Sequence, residues 1–190
     1  MKRSVNRVPS RLAGFNRDRR GIEHSPTRSH FVSEKVYIGK SPFGVGVFAK
    51  VHIEPRETII FLNGALIGFE ETQRPQGEYA VQIGSNEYVD PIRPGRYLNH
   101  SCEPNAGFVE GIQLIALEAI APGEEVVFDY STTMLERSWE LDCQCGAKQC
   151  RGRIQDFDLL PASLQRRYLQ LGIVQNFILE ALRIDEEAAA

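Results

Sequence analysis

A chain of 190 residues, 42% hydrophobic and 25% charged, has the composition of one ordinary globular domain with a core of its own. No apolar run reaches the ~18 to 20 residues of a spanning helix, and no apolar segment follows the basic N-terminus as a secretory signal requires. The net charge of −3 hides an asymmetry: residues 1–30 hold eight basic and two acidic residues, net +6, which leaves −9 for the remainder.

The first 30 residues lack periodic apolar positions and read as a disordered tail. Such an arm suits phosphate-type contacts with nucleic acid or an acidic partner. A solvated tail, an over-extended start or an organelle transit peptide explains the same composition, although Asp18 and Glu23 count against the last.

From residue 31 the texture becomes short apolar runs punctuated by Gly, Pro, Asn and Asp. Strands are predicted over Lys35–Ile38, Gly46–Val51, Glu57–Leu62, Tyr79–Ile83, Glu87–Val89, Ile112–Leu117 and Glu125–Phe128. No helix-length segment separates them, so the expected core is mainly antiparallel β rather than a parallel α/β sheet. Beyond Asp156 the period changes. Pro161 opens a helical pattern through Leu164, Tyr168 and Leu171; after Gly172 a second stripe runs through Val174, Phe177, Ile178, Ala181 and Leu182. Two short C-terminal helices follow from this, packed on the core or, alternatively, pairing two chains as a dimer.

Four segments carry chemistry. SPFGVGVFA, Ser41–Ala49, places Gly44 and Gly46 about Val45 ahead of a strand, which lets backbone approach a ligand or simply makes a β-turn. RYLNHSCEPN, Arg96–Asn105, sets Asn99, His100 and Ser101 beside Cys102; a nucleophilic pairing and a polar turn are both compatible with these residue types. GEEVVFDYS, Gly123–Ser131, ends a strand on Phe128, Asp129 and Tyr130, an arrangement usual in cores and also suited to a narrow pocket for a long aliphatic amine. CQCGAKQC supplies Cys143, Cys145 and Cys150, three of the four thiolates of a tetrahedral zinc site, and Cys102 is available as the fourth. His100 is a less favoured stand-in. Disulfides compete, but C-x-C is an awkward close pair and a reducing compartment disfavours them.

Taken in this order, the four segments resemble the SET-domain lysine methyltransferases. SPFGVGVFA is similar to that family's opening G-x-G segment, RYLNHSCEPN to its N-H-S-C-x-P-N signature, VVFDY to its terminal F-D-Y motif and CQCGAKQCRG to its post-SET C-x-C-x4-C element. The resemblance covers about Lys35 to Ile154. It departs from the family in having no pre-SET cysteine cluster and only a short insert between Glu87 and Arg93, which leaves substrate docking open.

The resemblance implies a mainly β fold of small antiparallel sheets with a C-terminal pseudoknot. The expected organisation is a tail over 1–30, a SET domain over 31–142, a post-SET zinc element over 143–154 and a helical extension over 155–190. It implies S-adenosylmethionine as methyl donor, held by Gly44, Val45, Gly46, Tyr79, Arg96, Asn99 and His100. Tyr130 becomes the catalytic residue, Phe128 and Tyr79 line the lysine channel, and a structural zinc sits on Cys102, Cys143, Cys145 and Cys150. The expected substrate is a protein lysine, in a histone, a histone-like protein or another protein, taken to di- or trimethyl-lysine. The expected location is inside the cell: cytoplasmic for a bacterial source, nuclear for a eukaryotic or viral one. The rival readings are an inactive zinc-stapled binding module and, further off, a zinc hydrolase or cysteine enzyme, against which an all-cysteine site with no open position argues.

Overall fold

The computed structural model describes residues 34–183, so the expectations for the basic tail lie outside the described residues. Twelve short strands occur there in chain order. They are β1 Val36–Ser41, β2 Gly44–Ala49, β3 Thr58–Phe61, β4 Gly64–Ile67, β5 Val81–Gly84, β6 Glu87–Pro91, β7 Asn99–His100, β8 Ala106–Val109, β9 Gln113–Ala116, β10 Val127–Phe128, β11 Leu141–Asp142 and β12 Arg153–Ile154. Their pairing gives small sheets and no closed barrel: β1-β2, β3-β9-β8, β4-β6-β5 and β11-β12 are antiparallel, while β7-β10 is parallel.

The main core gathers one face of several of these strands. Val47, Leu114 and Phe108 from the strands, with Ile53, Ile120 and Val126 from the segments beside them, are fully enclosed. A second cluster lies around Phe157, Tyr168, Ile173, Phe177 and Ile178 and belongs to the C-terminal helices α2, Ala162–Leu171, and α3, Asn176–Leu182. A single-turn helix, α1, spans Phe69–Thr72.

The helical prediction is close. Pro161 stands at the N-cap of α2, and Gly172 closes it with φ +66°, the left-handed C-terminal geometry that glycine adopts without penalty. Ile173 then seats against β8 where Gly107 has no side chain; a Cβ there would come within 2.6 Å of the Ile173 methyl. The apolar stripe is therefore spent on the chain's own core.

Most predicted strands occur with shifted ends. Tyr79 does not open a strand: β5 begins at Val81, and Tyr79 lies before it with 47% of its surface exposed. Strands β4, β7, β8, β11 and β12 were not expected. Among the described residues no helix is long and apolar enough to cross a membrane.

Candidate functional site

The parallel pair β7-β10 joins the two most informative motifs. It sets Asn99 opposite Val127 and His100 opposite Phe128, and the Ser101 N–H donates to the Phe128 carbonyl at 3.1 Å. Asn105 fastens the same strand: its Nδ2 donates to the Glu125 carbonyl at 2.8 Å and its Oδ1 accepts from the Val127 N–H at 2.9 Å.

The G-x-G segment folds against this pair. Asn99 Nδ2 donates to the Val45 carbonyl at 3.0 Å and to Glu125 Oε1 at 2.6 Å, and Ser41 Oγ donates to Glu125 Oε2 at 3.0 Å. The two glycines serve different needs. Gly44 has φ +112°, a conformation L side chains rarely adopt, with nothing near its missing Cβ. Gly46 is required by crowding: a Cβ there would sit 2.1 Å from Glu125 Oε1. Glu125 thus ties Ser41, Gly46 and Asn99 together, a role that reading it as a strand residue did not reveal. Its signal was the acidic pair Glu124-Glu125 at the strand entry.

Tyr130 follows at the end of β10. Its hydroxyl donates to the Leu98 carbonyl at 2.7 Å, and its ring lies against Phe128 at 4.8 Å, His100 at 5.3 Å and Trp139 at 6.4 Å between centroids. Burial raises its phenol well above the usual range, with the Glu125 carboxylate nearby pushing the same way, so it stays a neutral hydroxyl. Phe128 is buried and meets Phe108 edge-on at 4.9 Å. Arg96 lies over the Tyr79 ring, its Cζ 4.2 Å from the centroid, and pairs with Asp90 at 2.6 Å, in a turn packed against β2.

His100 is enclosed. Burial lowers its basicity to about 4, with Arg151 pushing the same way and Asp129 opposing, so the ring is neutral. Its Nδ1 accepts the Tyr130 N–H at 3.2 Å, which assigns the proton to Nε2, 3.3 Å from Cys102 Sγ. The imidazole therefore spans the tyrosine backbone and the cysteine cluster.

Cys102, Cys143 and Cys145, with His100, present ligand atoms all within 4.8 Å of one another. The Cys150 thiol interacts with those of Cys143 and Cys145. All four cysteines are free, and Cys102 and Cys143 are 3.7 Å apart, far from a disulfide length. The Arg151, Cys102 and Gly152 amides point at the sulfurs of Cys102, Cys145 and Cys150 at 3.4 to 3.5 Å. Burial raises Cys102 to about 11 and Cys143 further; Cys145, despite burial, is brought down to about 7 by the Cys102 and Ala147 amides and by neighbouring thiols. The donor set fits a thiophilic divalent cation. His100 suits that site as a donor to sulfur rather than as a ligand, because its free lone pair already faces Tyr130.

Beneath both groups lies Asp129, 1% exposed. It caps the turn Tyr130–Thr133 through the Ser131 N–H at 3.1 Å and accepts from the two terminal nitrogens of Arg151 at 2.6 and 2.9 Å. The sequence named Asp129 only as the middle of the run Phe128–Tyr130 and did not point to Arg151, although it directly follows Cys150.

These features define a SET domain, and the comparisons agree. The family model for the SET domain matches residues 44–131. Human histone-lysine N-methyltransferase 2B is 35% identical over 126 residues, covering 57% of this chain and 5% of that protein. The Caenorhabditis elegans histone-lysine N-methyltransferase mes-4 is 31% identical over 166 residues, covering 70% of this chain and 18% of that protein. The chain thus spans under a fifth of the length of either relative. Among solved structures, KRYPTONITE in complex with mCHH DNA, an H3(1-15) peptide and SAH superposes with TM-score 0.52 at 23% identity, covering 63% of this chain and 29% of that one. Its complex with mCHG DNA and SAH gives 0.51. Those likenesses carry the fold. Residues 44–131 carry a SET domain.

Proposed function

We propose that this chain transfers methyl groups from S-adenosylmethionine to the side-chain amine of a protein lysine, reaching di- or trimethyl-lysine. The observation that carries the reading is the β7-β10 pairing, which sets the Asn99-His100 dipeptide against the strand leading into Tyr130 beside the Gly44–Gly46 cradle. That the matched relatives are named histone-lysine methyltransferases, and that both neighbouring structures hold SAH, supports the cofactor and the substrate class.

S-adenosylmethionine would supply an electrophilic methyl on a sulfonium, cradled by the Gly44, Val45 and Gly46 backbone with Asn99, His100, Tyr79 and Arg96 around it. A lysine with pKa near ~10.4 is almost wholly protonated at neutral pH, so the site must favour the free amine. The Phe128, Tyr130 and Trp139 rings offer the dry aromatic wall that disfavours ammonium by desolvation. Tyr130, kept neutral, serves as a fixed dipole that orients the amine and stabilises charge on the methyl rather than as a base. Phe128 lacks a hydroxyl that would hold water in the space a second methyl needs.

Cys102, Cys143, Cys145 and Cys150 would hold a structural zinc that fastens the segment after Leu141 to the core. Residues 1–30, net +6, would reach nucleic acid near a chromatin-like substrate.

Calorimetric titration with S-adenosylhomocysteine tests the reading. Saturable binding to the zinc-loaded protein, lost in Asn99→Ala, is expected; no heat of binding at millimolar ligand would overturn it.

A further inference from the structure

The C-terminal helices lie beyond the SET match, yet one side chain from them reaches the catalytic turn. Tyr168 of α2 is fully buried, and its hydroxyl donates to Asp129 Oδ2 at 2.7 Å. The other donors to that carboxylate are the Ser131 N–H, Arg151 Nη1 and Arg151 Nη2. With Tyr168 the two oxygens hold four hydrogen bonds, as many as a buried carboxylate accepts. A second contact comes from the same extension: the Gln175 N–H donates to the Thr132 carbonyl at 3.2 Å, inside the Tyr130–Thr133 turn.

We propose that Tyr168 is a positioning residue through which the helical extension sets the active site, by fixing the Asp129 carboxylate that caps the Tyr130 turn and anchors Arg151. The inference rests on the proposed methyl transfer at Tyr130. Packing alone does not call for the hydroxyl, since a phenylalanine would fill the same space among Phe157, Ile173 and Ile178. Burial, with Asp129 beside it, pushes the Tyr168 phenol far above its usual range, so it remains a donor.

Asp129 links two directions. Through the turn it holds Tyr130, whose hydroxyl meets Leu98 and whose N–H meets His100. Through Arg151 it holds the residue whose N–H faces Cys102 Sγ. Loss of the Tyr168 hydroxyl leaves one carboxylate oxygen with a single charged donor. The carboxylate is then free to tilt toward Arg151, and the cap on Tyr130 loosens with it. An angstrom of misplacement is enough to cost one to two orders of magnitude in rate.

The test compares Tyr168→Phe, which deletes the hydroxyl alone, with Phe177→Leu, which weakens the same extension by packing. Readouts are kcat and KM on a histone-tail peptide, zinc content, thermal midpoint and the emission of Trp139. That residue is the chain's one tryptophan and lies against Tyr130. Tyr168→Phe is expected to lower kcat on the order of 10-fold with KM little changed and zinc retained, and to shift Trp139 emission. Phe177→Leu is expected to lower the midpoint while leaving kcat and emission as in the parent at a temperature where both are folded. Unchanged kcat and emission in Tyr168→Phe, or the same kcat loss in both variants, would overturn the inference. A parent protein that transfers no methyl would defeat the activity reading instead, and Trp139 emission would still decide the positioning role.

Discussion

Gly46→Ala separates the cofactor cradle from a bland β-turn. The added Cβ would stand 2.1 Å from Glu125 Oε1 and 3.1 Å from Asn99 Nδ2. Ordinary contact needs more than an angstrom of extra room, and the carboxylate is held by Asn99 at 2.6 Å and Ser41 at 3.0 Å. The carboxylate therefore moves and the Asn99 bond breaks. A hydrogen bond to a charged group contributes about 1.5–3 kcal/mol, and partial exposure of Glu125 lowers this to about 1–2 kcal/mol. The displaced Asn99 also releases the Val45 carbonyl, so affinity for S-adenosylhomocysteine should fall more steeply than stability. Gly44→Ala is the comparison: it meets no atom, and its cost is backbone strain alone, about 1–2 kcal/mol. Urea unfolding and calorimetric titration of both variants measure the two effects. If Gly46→Ala bound cofactor and unfolded like the parent, Glu125 would not be the tie that holds this cradle.

Tyr130→Phe should keep zinc and cofactor binding but lower turnover on the order of 10²-fold; near-normal turnover would remove Tyr130 from the chemistry. Because burial raises the Tyr130 phenol rather than lowering it, its neutral form persists as pH rises through the assay range. The single-turnover rate should therefore climb with deprotonation of the substrate lysine, by up to about tenfold per unit, and show no downturn below about pH 9.5. Cys145→Ser should lower the zinc-to-protein ratio and activity together while circular dichroism of the β core changes little; active parent protein free of zinc would contradict the assigned site. Phe128→Tyr should shift product toward monomethyl-lysine, read by mass spectra at long reaction times. Its buried setting against Phe108 adds a stability cost of about 1–3 kcal/mol if the new hydroxyl finds no partner.

The motif residues were legible because each sits in a contiguous run: Gly44 with Gly46, Asn99 with His100, Phe128 with Tyr130, Cys143 with Cys145. The two C-terminal helices were legible from their 3.6-residue period, and Gly172 from the turn it makes. What joins the runs was not. Strand β7 is two residues long, too short for any periodicity, yet its parallel pairing with β10 makes the site. Strand β8 was hidden behind the polar Glu103–Asn105 stretch, and β4 between Asn63 and Gly68. The polar partners of Glu125, Arg151 and Tyr168 were not legible because they are remote in sequence: Ser41 lies 84 residues from Glu125, and Asp129 lies 39 from Tyr168. Alternation along a strand tells which face is buried, not which buried carboxylate a distant hydroxyl will meet. Tyr79 shows the reverse case, a residue type that suited a strand but stacks with Arg96 outside it.

The most direct measurement is the intact mass of a histone H3 tail peptide incubated with zinc-loaded protein and S-adenosylmethionine, against Tyr130→Phe as control. The account predicts peptide heavier by two or three methyl groups, with fragmentation placing them on one lysine, and little or no product from the variant. Unmodified peptide, together with no methylated protein in a lysate treated in the same way, would contradict it.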